Sequence, residues 1–166
     1  AKPAFYAQLL AEAESVLDPS LPSVANLANA SALLYFALTD SPVSRPVNWV
    51  GFYLRDKKMP EKLTLGPFQG RLACTEIKLG RGVCGTAAAQ NKIQLVPDVH
   101  LFPGHIACDS ATESEIVVPI VAKGEDGEAV VVGVLDLDCL ARDGFDEEDR
   151  VGLERIVEVI ARVCSW

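Results

Sequence analysis

The sequence predicts an α+β fold with a mostly antiparallel central sheet flanked by N- and C-terminal helices, in one domain spanning residues 1–166. Three patterns predict it. The N-terminal segment repeats apolar residues at helical spacing, the middle of the chain breaks into short strand-like runs divided by turn signals, and the C-terminal segment returns to helical spacing behind an acidic cap. At 166 residues the chain suits one domain. A chain of that size buries about 70% of its unfolded surface and needs no disulfide or metal to hold it together.

Residues 4–17 read as the first helix, with Phe5, Leu9, Ala13, Val16 and Leu17 on one face. Asp18-Pro19 ends it. Ser23 is a plausible N-cap for a second helix running to Leu38, whose stripe of Val24, Leu27, Leu34 and Leu38 among alanines predicts deep burial. Residues 48–54 are aromatic and β-branched and predict a strand. Strands at 62–65 and 74–79 follow. Gly80-Arg81-Gly82 is a turn into a short helix at 83–90, and 93–96 is another strand. Residues 97–114 form a long irregular segment holding two prolines, a glycine, both histidines and a cysteine. A long irregular segment inside a compact domain is commonly functional. Strands at 115–121 and 129–138 flank a charged turn at 124–128. Asp146 caps the last helix, with acids in its first turn and Leu153, Ile156, Val157, Ile160 and Cys164 on its buried face.

Charge narrows the function. Fifteen Lys and Arg against 23 Asp and Glu leave a formal net charge of −8. Nucleic acid and anionic membrane surfaces both call for clustered basic residues, so neither is an expected partner. No apolar run approaches the roughly 20 residues of a membrane span, and Ala1 to Phe5 lacks the blocks of a secretory signal. Five cysteines, an odd number without such a signal, point to a reducing compartment, the cytoplasm.

None of Cys74, Cys84 and Cys108 forms a C-x-x-C pair. Cys84 enters a helix behind a glycine-rich turn. It reads either as a small residue packed at that turn or as a thiol at a helix N-terminus, where free N–H groups hold a carboxylate or lower a thiol pKa. Cys108 lies in a polar loop, where reactive thiols occur. Cys164 belongs to the apolar stripe of the last helix, and Cys139 is a bystander at a strand end. A zinc set of His100, His105, Cys108 and Cys84 lacks both a C-x₂₋₄-C pair and helical histidine spacing, and no metal is expected.

Asp136 and Asp138 alternate with Leu135 and Leu137, so both carboxylates share one strand face. They read either as solvated acids or as a pair whose mutual repulsion raises a pKa, able to bind an ammonium or hold a proton. Glu115 opens the strand after the cysteine loop. Trp49 packs in the core or walls a small pocket.

The stretches LGPFQG (65–70), GRGVCGTAAA (80–89), LVPDVHLFPGHIACDSATESEIVVPI (95–120), GVLDLD (133–138) and FDEED (145–149) resemble the free methionine-R-sulfoxide reductase family of GAF domains. The resemblance runs from about Asn48 to the end. It implies a GAF fold and reduction of the free amino acid's R-sulfoxide. It also implies Cys108 as nucleophile, with Cys74 or Cys84 as the resolving thiol and Cys74 the favoured one. Glu115, Asp136, Asp138 and Trp49 line the pocket by the same resemblance. The reductant it implies is thioredoxin, the assembly a homodimer, and no metal or organic cofactor takes part. The charged turn at 123–128 looks longer than is usual in the family, an expected loop effect. A GAF small-molecule-binding module and a cysteine redox sensor are the competing functions.

Overall fold

The structure is a computed structural model and describes residues 1–40 and 43–166. Helices α1 (Lys2–Val16) and α2 (Ser23–Asp40) precede strands β1 (Val47–Arg55), β2 (Lys62–Gly70) and β3 (Glu76–Lys78). Helix α3 (Gly82–Gln90), β4 (Gln94–Val96), a 3₁₀ turn (Val99–Leu101), β5 (Ser114–Lys123), β6 (Ala129–Cys139) and α4 (Glu147–Val163) complete the order. The six strands form one sheet in the order β3-β2-β1-β6-β5-β4, with every neighbouring pair antiparallel. The fold is the expected α+β arrangement.

Side-chain alternation divides the sheet into two unlike faces. Val50 and Phe52 of β1, Ile116 and Val118 of β5, and Leu135 and Leu137 of β6 point to one side. There they pack with Leu9, Leu27, Leu34, Leu153, Ile156 and Ile160 of α1, α2 and α4. The intervening residues point to the other side, where Trp49, Tyr53, Val117 and Val134 meet Val83, Cys84 and Ala87 of α3. One face is therefore a broad three-helix core. The other is covered by one short helix and the long loops, which leaves room for a site.

Several local expectations change. The third strand shrinks from 74–79 to Glu76–Lys78, which leaves Cys74 in a loop. The second strand runs on to Gly70, past Pro67. The register against β1 slips between Gly51 and Tyr53, and this irregularity accommodates a residue with no N–H to donate. Val16 and Val24 are exposed rather than core. Val24 lies on the first turn of α2, to one side of the Leu27–Leu34–Leu38 line. Asn26 is buried instead and clamps the α1–α2 connection, donating to the Asp18 carbonyl (2.8 Å) and accepting from the Asp18 N–H (3.0 Å). Ser23 exchanges hydrogen bonds with Ser165 rather than acting as a simple cap.

The α4 start is as expected, a capping box between Asp146 and Asp149. Asp149 does more than meet the helix dipole. It is fully buried, accepts from the Tyr6 hydroxyl (2.8 Å), and pairs with Lys2 (2.8 Å) and Arg45 (2.7 Å). It thereby joins α1 and the β1 approach to α4. Gly152 lies beneath Tyr6, where a Cβ would strike the phenol ring.

Candidate active site

The cavity lies on the α3 side of the sheet. β1, β5 and β6 supply its floor, the first turn of α3 supplies one wall, and the loops at 71–75 and 103–112 cover it. Trp49, Cys84, Cys108, Glu115, Asp136 and Asp138 all line it. Cys74 sits at the rim, joined to Cys108 by a disulfide with the Cα atoms 5.5 Å apart. The two cysteines come from different covering loops, so the bond straps one loop to the other. All seven residues singled out in the sequence thus gather in one place. Of the histidines and cysteines weighed as a zinc set, His105, Cys84 and Cys108 line the cavity, and His100 lies outside it, exposed beside Glu113.

Strand register brings the acids together. Glu115 stands directly opposite Asp138 across β5 and β6, and Asp136 lies two residues along on the same face. Asp136 and Glu115 are buried, and Asp138 is half-buried. Burial, reinforced by the charge of Asp138, pushes the Glu115 carboxyl up to about 8, against a hydrogen bond from Asp136 that lowers it. Burial and Glu115 raise Asp136 well above the usual carboxylate range. Burial, Asp136 and Asp109 do the same to Asp138. At neutral pH the floor therefore holds protons. One oxygen of Asp136, Oδ1, is buried without a hydrogen-bond partner.

Cys84 opens α3, and no side chain caps that helix. Its Sγ lies 4.0 Å from Glu115 Oε1. The helix end does not activate this thiol. Burial first, then the charges of Asp136 and Glu115, push Cys84 well above its ordinary pKa. Gly82, Val83 and Cys84 of the first turn of α3 line the cavity, and the φ of +63° at Gly82 favours glycine.

Trp49 both packs and walls. Its ring stacks between Tyr53 (centroids 5.7 Å apart) and Phe68 (5.2 Å), and its Nε1 donates to the Arg71 carbonyl at 3.2 Å. Gly51 makes this possible, since a Cβ there would meet Phe68 and the indole. The Tyr53 hydroxyl donates to the Cys74 carbonyl at 2.9 Å. Two aromatic residues of one strand thus hold the loop that carries Cys74.

Two contributors carried no strong sequence signal. Asn48 donates to Asp109 Oδ2 and Thr112 Oγ1, both at 3.1 Å, and so ties the Cys108 loop to β1. His105 lines the cavity with Nε2 3.6 Å from Glu115 Oε2. Burial lowers the His105 pKa while Glu115 is raised, so at neutral pH the two meet as neutral groups rather than as an ion pair. Its place in Gly104-His105 beside Cys108 was the available signal. Asn48 gave none, because its partners lie 61 and 64 residues away.

The GAF-domain family model matches residues 12–165. The chain is 46% identical to the free methionine-R-sulfoxide reductase of Saccharomyces cerevisiae, over 96% of this chain and 85% of that one. It is also 46% identical to the Escherichia coli protein of the same name, over 99% of this chain and 91% of that one. The X-ray structure of the Neisseria meningitidis free methionine-R-sulfoxide reductase in complex with its substrate superposes with a TM-score of 0.83. That pair is 42% identical, with 98% of this chain and 89% of that one covered.

Proposed function

Because the chain belongs to the free methionine-R-sulfoxide reductase family of GAF domains, we propose that it reduces the R-sulfoxide of free methionine to methionine, with Cys108 as the nucleophile. One observation carries the reading beyond family membership. A disulfide-forming thiol pair closes over a floor of buried, proton-holding carboxyls.

The Cys108 thiolate attacks the sulfoxide sulfur while Glu115, protonated at neutral pH, gives its proton to the sulfoxide oxygen; the resulting hydroxyl shifts from the substrate sulfur to the Cys108 sulfur as the transient sulfur–sulfur bond breaks. Methionine leaves, and the oxygen stays on Cys108 as a sulfenic acid. The Cys74 thiol then condenses with it, releasing water and forming the disulfide. The Cys74–Cys108 bond favours Cys74 over Cys84 as the resolving thiol. The buried, protonated Cys84 is poorly suited to that step. An external dithiol of the thioredoxin type restores both thiols by exchange, as a cytoplasmic setting would supply. The electrons come from thiols throughout, and the scheme uses no metal or organic cofactor.

Selectivity for the free amino acid follows from the two ends of the substrate. The acidic floor meets the ammonium, with Asp136 and Asp138 nearest to hand, and the N–H groups at the start of α3 meet the carboxylate. Trp49 walls the side chain. A residue within a peptide has neither charge and would leave these groups unpaired. The resemblance also carries a homodimer, for which sedimentation is the check.

The test is NADPH oxidation by the purified protein with thioredoxin and thioredoxin reductase, supplying free methionine-R-sulfoxide, the S epimer and a blocked peptide-like sulfoxide separately. Turnover on the free R epimer alone is expected. No turnover on any of the three would remove the catalytic reading and favour a thiol sensor or a binding module.

A further inference from the structure

The reaction scheme leaves Cys84 without a task. Its surroundings suggest one. Cys84 Sγ, a Glu115 oxygen and an Asp136 oxygen all lie within 4.8 Å of one another. They arrive from three elements, α3, β5 and β6, and each residue is at most 6% exposed. Asp136 Oδ1, buried on the cavity floor, has no hydrogen-bond partner. A buried carboxyl oxygen with no hydrogen-bond partner is costly and calls for a ligand. His105 Nε2, 3.6 Å from Glu115 Oε2, stands beside the trio.

The spacing fits one kind of ligand. Around a tetrahedral zinc ion with bonds of about 2.3 Å to sulfur and 2.0 Å to oxygen, the sulfur and oxygen sit about 3.5 Å apart. The 4.0 Å between Cys84 Sγ and Glu115 Oε1 needs to close by only about half an ångström. A thiolate donor selects against magnesium and calcium, and a mixed sulfur, oxygen and imidazole set suits zinc or cadmium. The second cluster of possible ligands among the described residues, Asp98, His100 and Glu113, has no sulfur and no such orphaned oxygen.

We propose that Cys84, Glu115 and Asp136 form a binding site for a single zinc-class divalent cation, with His105 or water as the fourth ligand. The ion would occupy the cavity floor and exclude whatever binds there. If the reductase reading above is correct, zinc is then an inhibitor competitive with the sulfoxide. The site requires neither Cys74 nor Cys108, so the disulfide form retains it.

Cadmium titration of the disulfide form of the full chain tests this, because the strapped thiols cannot respond. One equivalent per chain should bind with a thiolate-to-cadmium charge-transfer band in the ultraviolet. Zinc should displace the cadmium and abolish the band. Cys84→Ser should remove the band, while Asp136→Asn, which keeps the thiol, should weaken binding at least tenfold. A missing band, a band that survives Cys84→Ser, or an unchanged affinity in Asp136→Asn would overturn the site. The titration involves no turnover. A chain that binds cadmium yet shows no reductase activity when metal-free sinks only the functional reading, and an active enzyme that binds no cadmium sinks only the metal site.

Discussion

Replacing Glu115 with glutamine should stabilise the fold at neutral pH and at the same time remove turnover. The magnitude follows from the site. In the unfolded chain the carboxyl titrates at its ordinary value of 4.5, and in the fold burial and Asp138 push it up to about 8. Between those values the native protein holds a proton that the unfolded chain has released. Stability therefore falls as pH rises, by about 1.4 kcal/mol per pH unit, and is fully present only below 4.5. At pH 7 the loss comes to about 3 kcal/mol. Glutamine has the same shape and no proton to lose, and its amide can donate to the adjacent Asp136. Glu115→Gln should therefore match the parent near pH 4 and exceed it by up to about 3 kcal/mol at pH 7. Urea unfolding at a series of pH values, with a chelator present and the disulfide kept in one state, measures this as a shift in midpoint at constant slope. Parallel pH profiles for the two proteins would show that Glu115 is ionised in the fold and would refute the reasoning.

The remaining predictions are more local. Cys108→Ser should abolish turnover, and retained activity in the NADPH-coupled assay would sink the assigned nucleophile. Cys74→Ser should release about one equivalent of methionine per chain and then stall at the sulfenic acid, read by rapid quench and a sulfenic-acid trap. Continued cycling would return the resolving role to Cys84. Asp149→Ala strands Arg45 and Tyr6 beside an empty buried position and should cost about 3–5 kcal/mol in unfolding free energy. Gly152→Ala should cost about 1–3 kcal/mol by forcing the Tyr6 ring aside, measured by the same unfolding assay.

Much of the architecture was legible because it rests on short-range pattern. Helical spacing in α1, α2 and α4, the Asp146 cap and the alternation of β5 and β6 each depend on neighbours a few residues apart. The same alternation put Asp136 and Asp138 on one face before any fold was known. Sequence pattern failed where a residue answers to distant partners. Val24 fits a helical stripe, yet the first turn of α2 gives it nothing to pack against. Cys74 looked like part of a strand, but only three residues of that segment find a partner in β2. Asp149 reads as a dipole acid, and its burial depends on Tyr6, 143 residues away.

The sequence by itself determined the fold class and the family, and it singled out the thiols and acids that gather at the cavity, since each is written in local spacing or contiguous motif. The tertiary structure decided which residues meet. Antiparallel register set Glu115 against Asp138, two loops brought Cys74 to Cys108, Asn48 tied down the Cys108 loop, and His105 came to stand beside Glu115. It also decided the chemical state of these groups. A helix N-terminus favours a thiolate at Cys84, but that preference belongs to the isolated helix. Burial against three carboxyls, which exists only once the sheet has assembled, keeps that sulfur protonated.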